Sequence, residues 1–293
     1  MALLASVTVV SCIPQRSIDV PLPSVPPRLV VESYAEAGSI LRVSVSQTSP
    51  YFQTIPTDTA GLIRFVQQQL ITGDSALAIL VRFAPDGTTE LERDTLTYSP
   101  FGTPGNVYPF GEFRSRNPIP ADYSQVLALQ VQDLRRASAI PVENRIVVAT
   151  TQLIQPVPID SIRVEKNPRG KEEYSVRVRW RDPDLSTTNY FRVTITNGNP
   201  DSTTSINLRD ELLTSEVIGF ATTYYFAPGD TVDVRLYHVP KVYHDFRRSV
   251  DGATAANSNP FSEPTRIFTN WSNGGYGIFS GVAGSRQQVV IPR

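Results

Sequence analysis

Residues 174–181 read Tyr174-Ser175-Val176-Arg177-Val178-Arg179-Trp180-Arg181. Apolar side chains alternate with polar or cationic ones, a period of two and not the 3.6 of a helix. Such a stretch is a strand with one buried and one wet face. The alternation recurs on either side. Phe191, Val193 and Ile195 alternate with Arg192, Thr194 and Thr196; Val232, Val234 and Leu236 alternate with Asp233, Arg235 and Tyr237; upstream, Leu41, Val43 and Val45 alternate with Arg42, Ser44 and Ser46. Residues 77–83 and 145–151 are more continuous apolar runs, the pattern of strands covered on both faces. Pro85-Asp86-Gly87, Asn197-Gly198-Asn199-Pro200 and Pro228-Gly229-Asp230 supply turns between them. Many short strands with Gly, Pro and Asn turns predict an all-β fold of antiparallel β-sandwiches, not βαβ units.

Two stretches have helical spacing. Leu62, Phe65, Val66 and Leu70 form one, with Asp58 or Thr59 as its cap and Gly73 beyond its end. The other is expected at 241–250, with Pro240 at the first position and Val242, Tyr243, Phe246 and Val250 on one face. His244 points away from that face and is expected in solvent. His238 continues the inward face of 232–236 and is expected in the core or at a strand edge. Gln155-Pro156-Val157-Pro158 is the expected boundary between two halves. The expected fold is therefore two consecutive antiparallel β-sandwich (Ig-like) domains, 28–155 and 156–293, with one or two short helices. Residues 99–120, rich in Pro, Gly, Phe and Tyr, are expected to form a long loop.

The chain has 293 residues, enough for about two domains. Its net charge is −1, which argues against nucleic acid, since phosphate neutralisation needs a basic surplus. One Cys makes neither an internal disulfide nor a thiolate metal cluster. Two His leave little material for zinc or for histidine catalysis, and no cofactor is expected. No G-x-S-x-G elbow, H-E-x-x-H helix or Gly-rich phosphate loop is present.

That single Cys stands at a telling place. Residues 2–10 are almost wholly apolar or small, and Val9-Val10-Ser11-Cys12 follows. The run is far too short to span a bilayer, which needs about 20 residues, and it suits a signal-peptide core. A small residue before a Cys at its end is where a lipoprotein signal is cut and the Cys acylated. Residues 1–12 are thus expected to be a lipoprotein signal peptide, with Cys12 lipidated. No Lys or Arg precedes the run, so a start upstream of Met1 is expected. Residues 13–27 carry Pro14, Pro21, Pro23, Pro26 and Pro27 and are expected to form an extended, semi-rigid tether.

Other candidate sites are local. Asp182-Pro183-Asp184 places carboxylates at alternate positions after a strand, as a calcium loop begins. It lacks the Gly and the distal Glu of an EF-hand, so a capped turn is the alternative. Asp-Ser/Thr followed by a small, β-branched or aliphatic residue occurs at Thr59, Ser75, Thr95, Ser161, Ser202 and Thr231. This triplet resembles an O-glycosylation acceptor of Bacteroidota envelope proteins; it is also a natural exit from a turn into a strand. Thr269-Asn270-Trp271-Ser272-Asn273-Gly274-Gly275-Tyr276-Gly277-Ile278-Phe279-Ser280 interleaves glycines with aromatics. Trp271, Tyr276 and Phe279 either line a partner or ligand surface or serve as core aromatics between tight turns.

A family resemblance joins these pieces. The lipobox is followed by Ser17-Ile18-Asp19-Val20-Pro21-Leu22-Pro23 and Pro27-Arg28-Leu29-Val30-Val31-Glu32. Later come Val45-Ser46-Gln47-Thr48-Ser49-Pro50-Tyr51-Phe52, Pro158-Ile159-Asp160-Ser161-Ile162, Pro228-Gly229-Asp230-Thr231-Val232, Asn259-Pro260-Phe261 and Ser272-Asn273-Gly274. In that order they resemble the Bacteroidota lipoproteins grouped as "domain of unknown function 4249". Residues 57–140 fit that pattern least. The resemblance implies a secreted, lipid-anchored chain of β-sandwiches. It also implies an accessory or ligand-capturing role beside a TonB-dependent outer-membrane receptor. It carries no catalytic residues. The expected function is therefore a non-enzymatic outer-membrane lipoprotein held by its lipid. One alternative is a surface glycan-binding or adhesive protein using the Trp271/Tyr276/Phe279 cluster or the 99–120 loop. Another is a hydrolase using Asp182 and Asp184.

Overall fold

The computed structural model describes residues 25–49, 56–103, 106–169, 171–199, 202–210, 216–257 and 266–293. The expected signal peptide with Cys12, and residues 13–24 of the tether, lie outside the described residues.

The first half contains β1 (Leu29–Ala35), β2 (Ile40–Gln47), α1 (Thr59–Gln69), β3 (Ala76–Phe83), β4 (Glu90–Thr95), β5 (Thr97–Thr103), β6 (Asn106–Pro118), β7 (Val126–Asp133) and β8 (Ile146–Gln152). The second contains β9 (Ser161–Lys166), β10 (Tyr174–Arg181), β11 (Tyr190–Thr196), β12 (Thr204–Arg209), β13 (Val217–Ala221), β14 (Thr231–Val239), α2 (Lys241–Asn257), β15 (Tyr276–Gly281) and β16 (Ala283–Val290). Four sheets result, in the orders β15-β1-β2-β6-β5, β4-β3-β7-β8, β13-β10-β9 and β12-β11-β14-β16.

The alternating residues explain the layers. Leu41, Val43 and Val45 of β2 meet Leu127, Leu129 and Val131 of β7 in one core. Val176, Val178 and Trp180 of β10 meet Phe191, Val193 and Ile195 of β11 and Val232, Val234 and Leu236 of β14 in another. The chain is all-β, built as two consecutive β-sandwiches with two helices.

Three local expectations are corrected. Residues 99–120 are largely the β5–β6 hairpin, not a loop. The prolines and glycines that read as loop sit where its register shifts, between Pro100 and Gly102. Beyond that shift Phe113 and Ser115 turn inward, and Ser115 Oγ accepts from Leu41 N at 2.9 Å. α1 forms with Asp58 as its cap, accepting from Gly61 N at 2.7 Å, but it buries no residue. Leu62 and Ile63 stay more than two-fifths exposed, and the buried anchor is Ile71 just beyond, whose N–H donates to Val45 O. β8 alternates as an edge strand instead of being covered on both faces.

The largest departure lies at the C-terminal end. β15 leaves the second half and pairs in parallel with β1, matching Val30–Ala35 to Tyr276–Gly281. After Val282 the chain re-enters the second sandwich, where β16 pairs with β14. Residues 276–290 thus staple the two bodies through one continuous extended segment. A division at 155/156 does not hold for this stretch, because Trp271 and Phe279 belong to the first core. α2 wedges beside the staple, packing Tyr243 and Phe246 on Val239, Ile278 and Val282.

Candidate functional site

The Trp271/Tyr276/Phe279 cluster is a structural clamp, the second of the two readings its sequence left open. Phe279 is wholly buried, and Trp271 is buried with its Nε1 donating to Val31 O at 2.9 Å. Ser272 N donates to Val148 O at 2.9 Å, and Ser272 Oγ accepts from Val148 N at 2.9 Å. Asn273 adopts a left-handed φ of 50° and donates from Nδ2 to Ile146 O at 2.9 Å. Asn is among the few non-glycine residues that take this conformation readily. Tyr276 alone keeps an accessible ring, with the Arg28 guanidinium 5.8 Å from its centroid. Sugar stacking needs exposed aromatic faces, so the glycan-binding alternative loses two of its three rings.

Asp182 and Asp184 cap a turn, as the simpler of their two sequence readings expects. Asp182 Oδ1 accepts from Asp184 N at 3.0 Å and from Asn189 Nδ2 at 2.8 Å. Asp184 accepts from Ser186 N at 2.9 Å, Ser186 Oγ at 2.6 Å and Thr187 Oγ1 at 3.1 Å, and these bonds hold its carboxyl below the usual range. Among the described residues no group of three or more His, Cys, Asp or Glu is arranged to hold a metal.

A third carboxyl stands behind them. Asp210 is 95% buried (5% exposed), accepts from Asn189 N at 2.8 Å through Oδ1, and leaves Oδ2 without a hydrogen bond. Burial, with the Asp182 charge beside it, raises its pKa. The folded chain therefore holds this proton to higher pH than the unfolded chain does. That contribution to stability is full below the ordinary carboxyl range and is lost as pH rises through the folded value. An Asn side chain there keeps an Oδ1 for Asn189 N and gives Asp182 an N–H. Asp210→Asn is expected to melt higher than the parent at about pH 8, with the gain shrinking toward about pH 4. Thermal melts across that range check it; an equal or lower melting point at the alkaline end would refute it.

Both histidines are buried. His238 stacks on Phe191 with centroids 5.3 Å apart, and its Nδ1 lies 2.8 Å from Gln155 O. Burial lowers its pKa, opposed by that bond and by Asp210 and Asp182. His244 is not in solvent, as its helix position suggested; it packs on Tyr190 at 5.0 Å. A helix wedged against two sheets buries more than one face, which a single apolar stripe does not foretell. Of the acceptor-like hydroxyl positions, Thr59, Thr95 and Thr231 are exposed and Ser75 and Ser161 half-buried. Ser202 is buried, which removes it as a glycan acceptor.

A site that local reading missed is the cleft between the sandwiches. The inward residues of β11 and β14 fill the second core, so their alternates face out. Arg192 lies opposite Tyr237, and Thr194 opposite Arg235. Arg192, Thr194 and Tyr237 are half-buried and Arg235 is exposed, on a face that borders an open cleft. Tyr34 of β1, Glu36 just beyond it, and Ile40 and Arg42 of β2 stand across from them. Tyr243 of α2 and Val282 of the staple complete the lining of a cavity of about 820 Å³. That volume is in the range of small-molecule sites, which favour domain interfaces.

The cleft is rich in guanidinium and phenol groups. Arg42 lies 3.2 Å from Glu112, and Arg235 Nε donates to Asp233 at 2.7 Å. Glu36 Oε1 accepts from Gly284 N at 3.0 Å. Arg192 differs: it donates to Asn207 Oδ1 at 3.3 Å and its charge acts on the Tyr243 phenol, with no ion-pair partner among the described residues. Burial raises the pKa of the Tyr34 and Tyr243 phenols, so both remain neutral donors. The sequence signal was present as Arg, Thr and Tyr on the wet faces of 191–196 and 232–237. Nothing local told that face from ordinary surface.

Comparisons with known proteins complete the description. No curated protein matches the chain. Among solved structures, the FN1–FN3 domains of chicken CNTN1 match at 10% identity with a TM-score of 0.28. That alignment covers 92% of this chain and 66% of the other. The family model described as "Domain of unknown function (DUF4249)" matches residues 15–288, and the chain belongs to that family.

Proposed function

We propose that this chain is a non-enzymatic, lipid-anchored outer-membrane protein that captures a ligand as the accessory partner of a TonB-dependent uptake system. The observation that carries the capture role is the cleft, whose walls come from both sandwiches and whose two sides are held in place by the staple and α2. A rigid, largely pre-formed concave site between domains is the usual form of a binding site. The anchor rests on the Val9-Val10-Ser11-Cys12 sequence and the proline-rich tether behind it. Acylation suffices physically: each buried methylene contributes about 0.8 kcal/mol, and more than one chain holds stably. No described helix is long and apolar enough to cross a membrane.

Cys12→Ala is expected to shift the protein from the membrane pellet to the soluble fraction and to abolish incorporation of labelled palmitate. A variant that stayed in the pellet would sink the anchor. The partner is checked by affinity capture of the tagged chain from solubilised outer membrane. Enrichment of a TonB-dependent receptor is the expected result, and its consistent absence would argue against the partnership.

A further inference from the structure

We infer that the inter-sandwich cleft binds a small soluble ligand through an oxyanion, a phosphate or carboxylate carried on an apolar or aromatic body, with Arg192 as the anchoring cation. The inference rests on the reading of the cleft as a capture site and names the chemistry it captures.

Three observations carry it. The first is charge. The lining holds three Arg against one Glu, although the whole chain has a net charge of −1. Arg42 shares Glu112 with Arg114, and Arg235 shares Asp233 with Arg286, so each of those carboxylates faces two guanidinium groups. Arg192 pairs with no carboxylate among the described residues, and the cleft keeps a cationic surplus for a ligand.

The second is hydrogen-bonding capacity. A guanidinium carries five N–H donors in a rigid fork. Arg192 engages Asn207, which leaves N–H groups over for a ligand. A planar fork matches a carboxylate or phosphate edge in a two-point bond, and such charge-assisted bonds are about twice as strong as neutral ones. Arg192 is half-buried and its Asn207 partner is one strand over, so the fork is pre-positioned and not swinging in solvent.

The third is the surround. Tyr34 and Tyr243 are phenols, neutral at neutral pH and pushed further from ionisation by burial, so they can donate to an anion. Behind the cleft the Arg247 charge also reaches both phenols, although its guanidinium pairs with Asp251 at 3.7 Å. Beside these polar groups stand Ile40, Val239 and Val282, an apolar wall for the ligand body. The cavity of about 820 Å³ is far larger than one inorganic ion, so the oxyanion is the handle of a larger molecule.

The test uses the purified full-length chain and titration calorimetry with four probes: inorganic phosphate, phenyl phosphate, benzoate, and neutral phenyl β-glucoside. Phenyl phosphate is expected to bind saturably, tighter than inorganic phosphate, with the glucoside weakest. Affinity is expected to fall with added salt, since Arg192 opens to solvent. Arg192→Gln is expected to weaken phenyl phosphate binding by about 10-fold or more, the loss of a charge-assisted pair. Arg192→Lys is expected to recover only part of it, because an ammonium keeps the charge without the fork. Unaltered melting of both variants separates loss of binding from loss of fold.

The proposal falls if no anionic probe binds saturably, if the glucoside binds as well as phenyl phosphate, or if Arg192→Gln leaves affinity unchanged. Flotation with phosphatidylglycerol vesicles that depended on Arg192, without binding of any soluble probe, would assign the cation to a lipid surface and also overturn it. Failure here is distinct from failure of the envelope role, which is read by fractionation and receptor capture and involves neither probe.

Discussion

Gly277→Ala is expected to lower the melting temperature by about 10 °C or more and Gly281→Ala by about 5–10 °C, given roughly 2–4 °C per kcal/mol for a domain of comparable size. At Gly277 two costs add. Its φ is +96°, a backbone state that side-chain-bearing residues rarely adopt, and a Cβ there would lie 2.1 Å from Val31 O. Backbone strain of about 1–3 kcal/mol joins overpacking of about 1–3 kcal/mol. The carbonyl cannot retreat cheaply, because it already accepts the Trp271 indole N–H. At Gly281 the clash stands alone but is as severe, with Gln152 O at 2.0 Å from the added carbon. Relief would pull β15 away from β8 and break the bond from Gly281 N to Thr151 Oγ1. Gly38→Ala is the control. Its φ is +77° but nothing lies within 4 Å of the new carbon. It should cost only the conformational term, about 1–2 kcal/mol. Calorimetric melts that ranked Gly38→Ala with the other two would show that β15 does not fit its neighbours this tightly.

Trp271→Ala is the second large effect, expected to cost about 3–5 kcal/mol, the usual range for emptying a buried aromatic site. The ring fills the first core from a segment of the second half of the chain, so its loss also weakens the staple. Trp271→Phe isolates the hydrogen bond. It keeps most of the packing and removes the donor to Val31 O, for about 0.5–1.5 kcal/mol. Trp180→Phe is the matched comparison. That indole is equally buried, but its Nε1 has no hydrogen-bond partner. Its replacement loses volume without losing a bond and should be the milder of the two. Chemical denaturation of both Phe variants measures the difference directly. Equal losses would mean that the Trp271–Val31 bond adds nothing net.

Much of the fold was legible because β-sandwich strands announce themselves locally. Val176, Val178 and Trp180 had to share a face, and so did Val232, Val234 and Leu236, whatever they packed against. Pro240 marked the start of α2, and Asp58 capped α1 as its sequence required. The β5–β6 hairpin was misread because Pro and Gly signal turns, and here they sit at an irregularity inside a ladder. His244 was misplaced because the helical spacing showed one apolar stripe, and α2 has two neighbours. The role of Trp271 and Phe279 stayed open because glycine-spaced aromatics suit a groove as well as a core.

The residues themselves determined where most of the strands and both helices lie, and which face of each alternating strand is apolar. Those properties depend on neighbours two to four positions away and survive without knowledge of the rest. Pairing partners do not. β1 and β15 are joined across the length of the chain, and nothing in Tyr276–Gly281 names Leu29–Ala35 as its mate. The same holds for the cleft. Arg192, Arg235 and Tyr237 carry the pattern of an ordinary wet face, and they become a wall because the staple and α2 bring β1 and β2 across from them. Burial of a face is a local demand; what stands opposite the other face is fixed by contacts between distant segments, where local pattern has no reach.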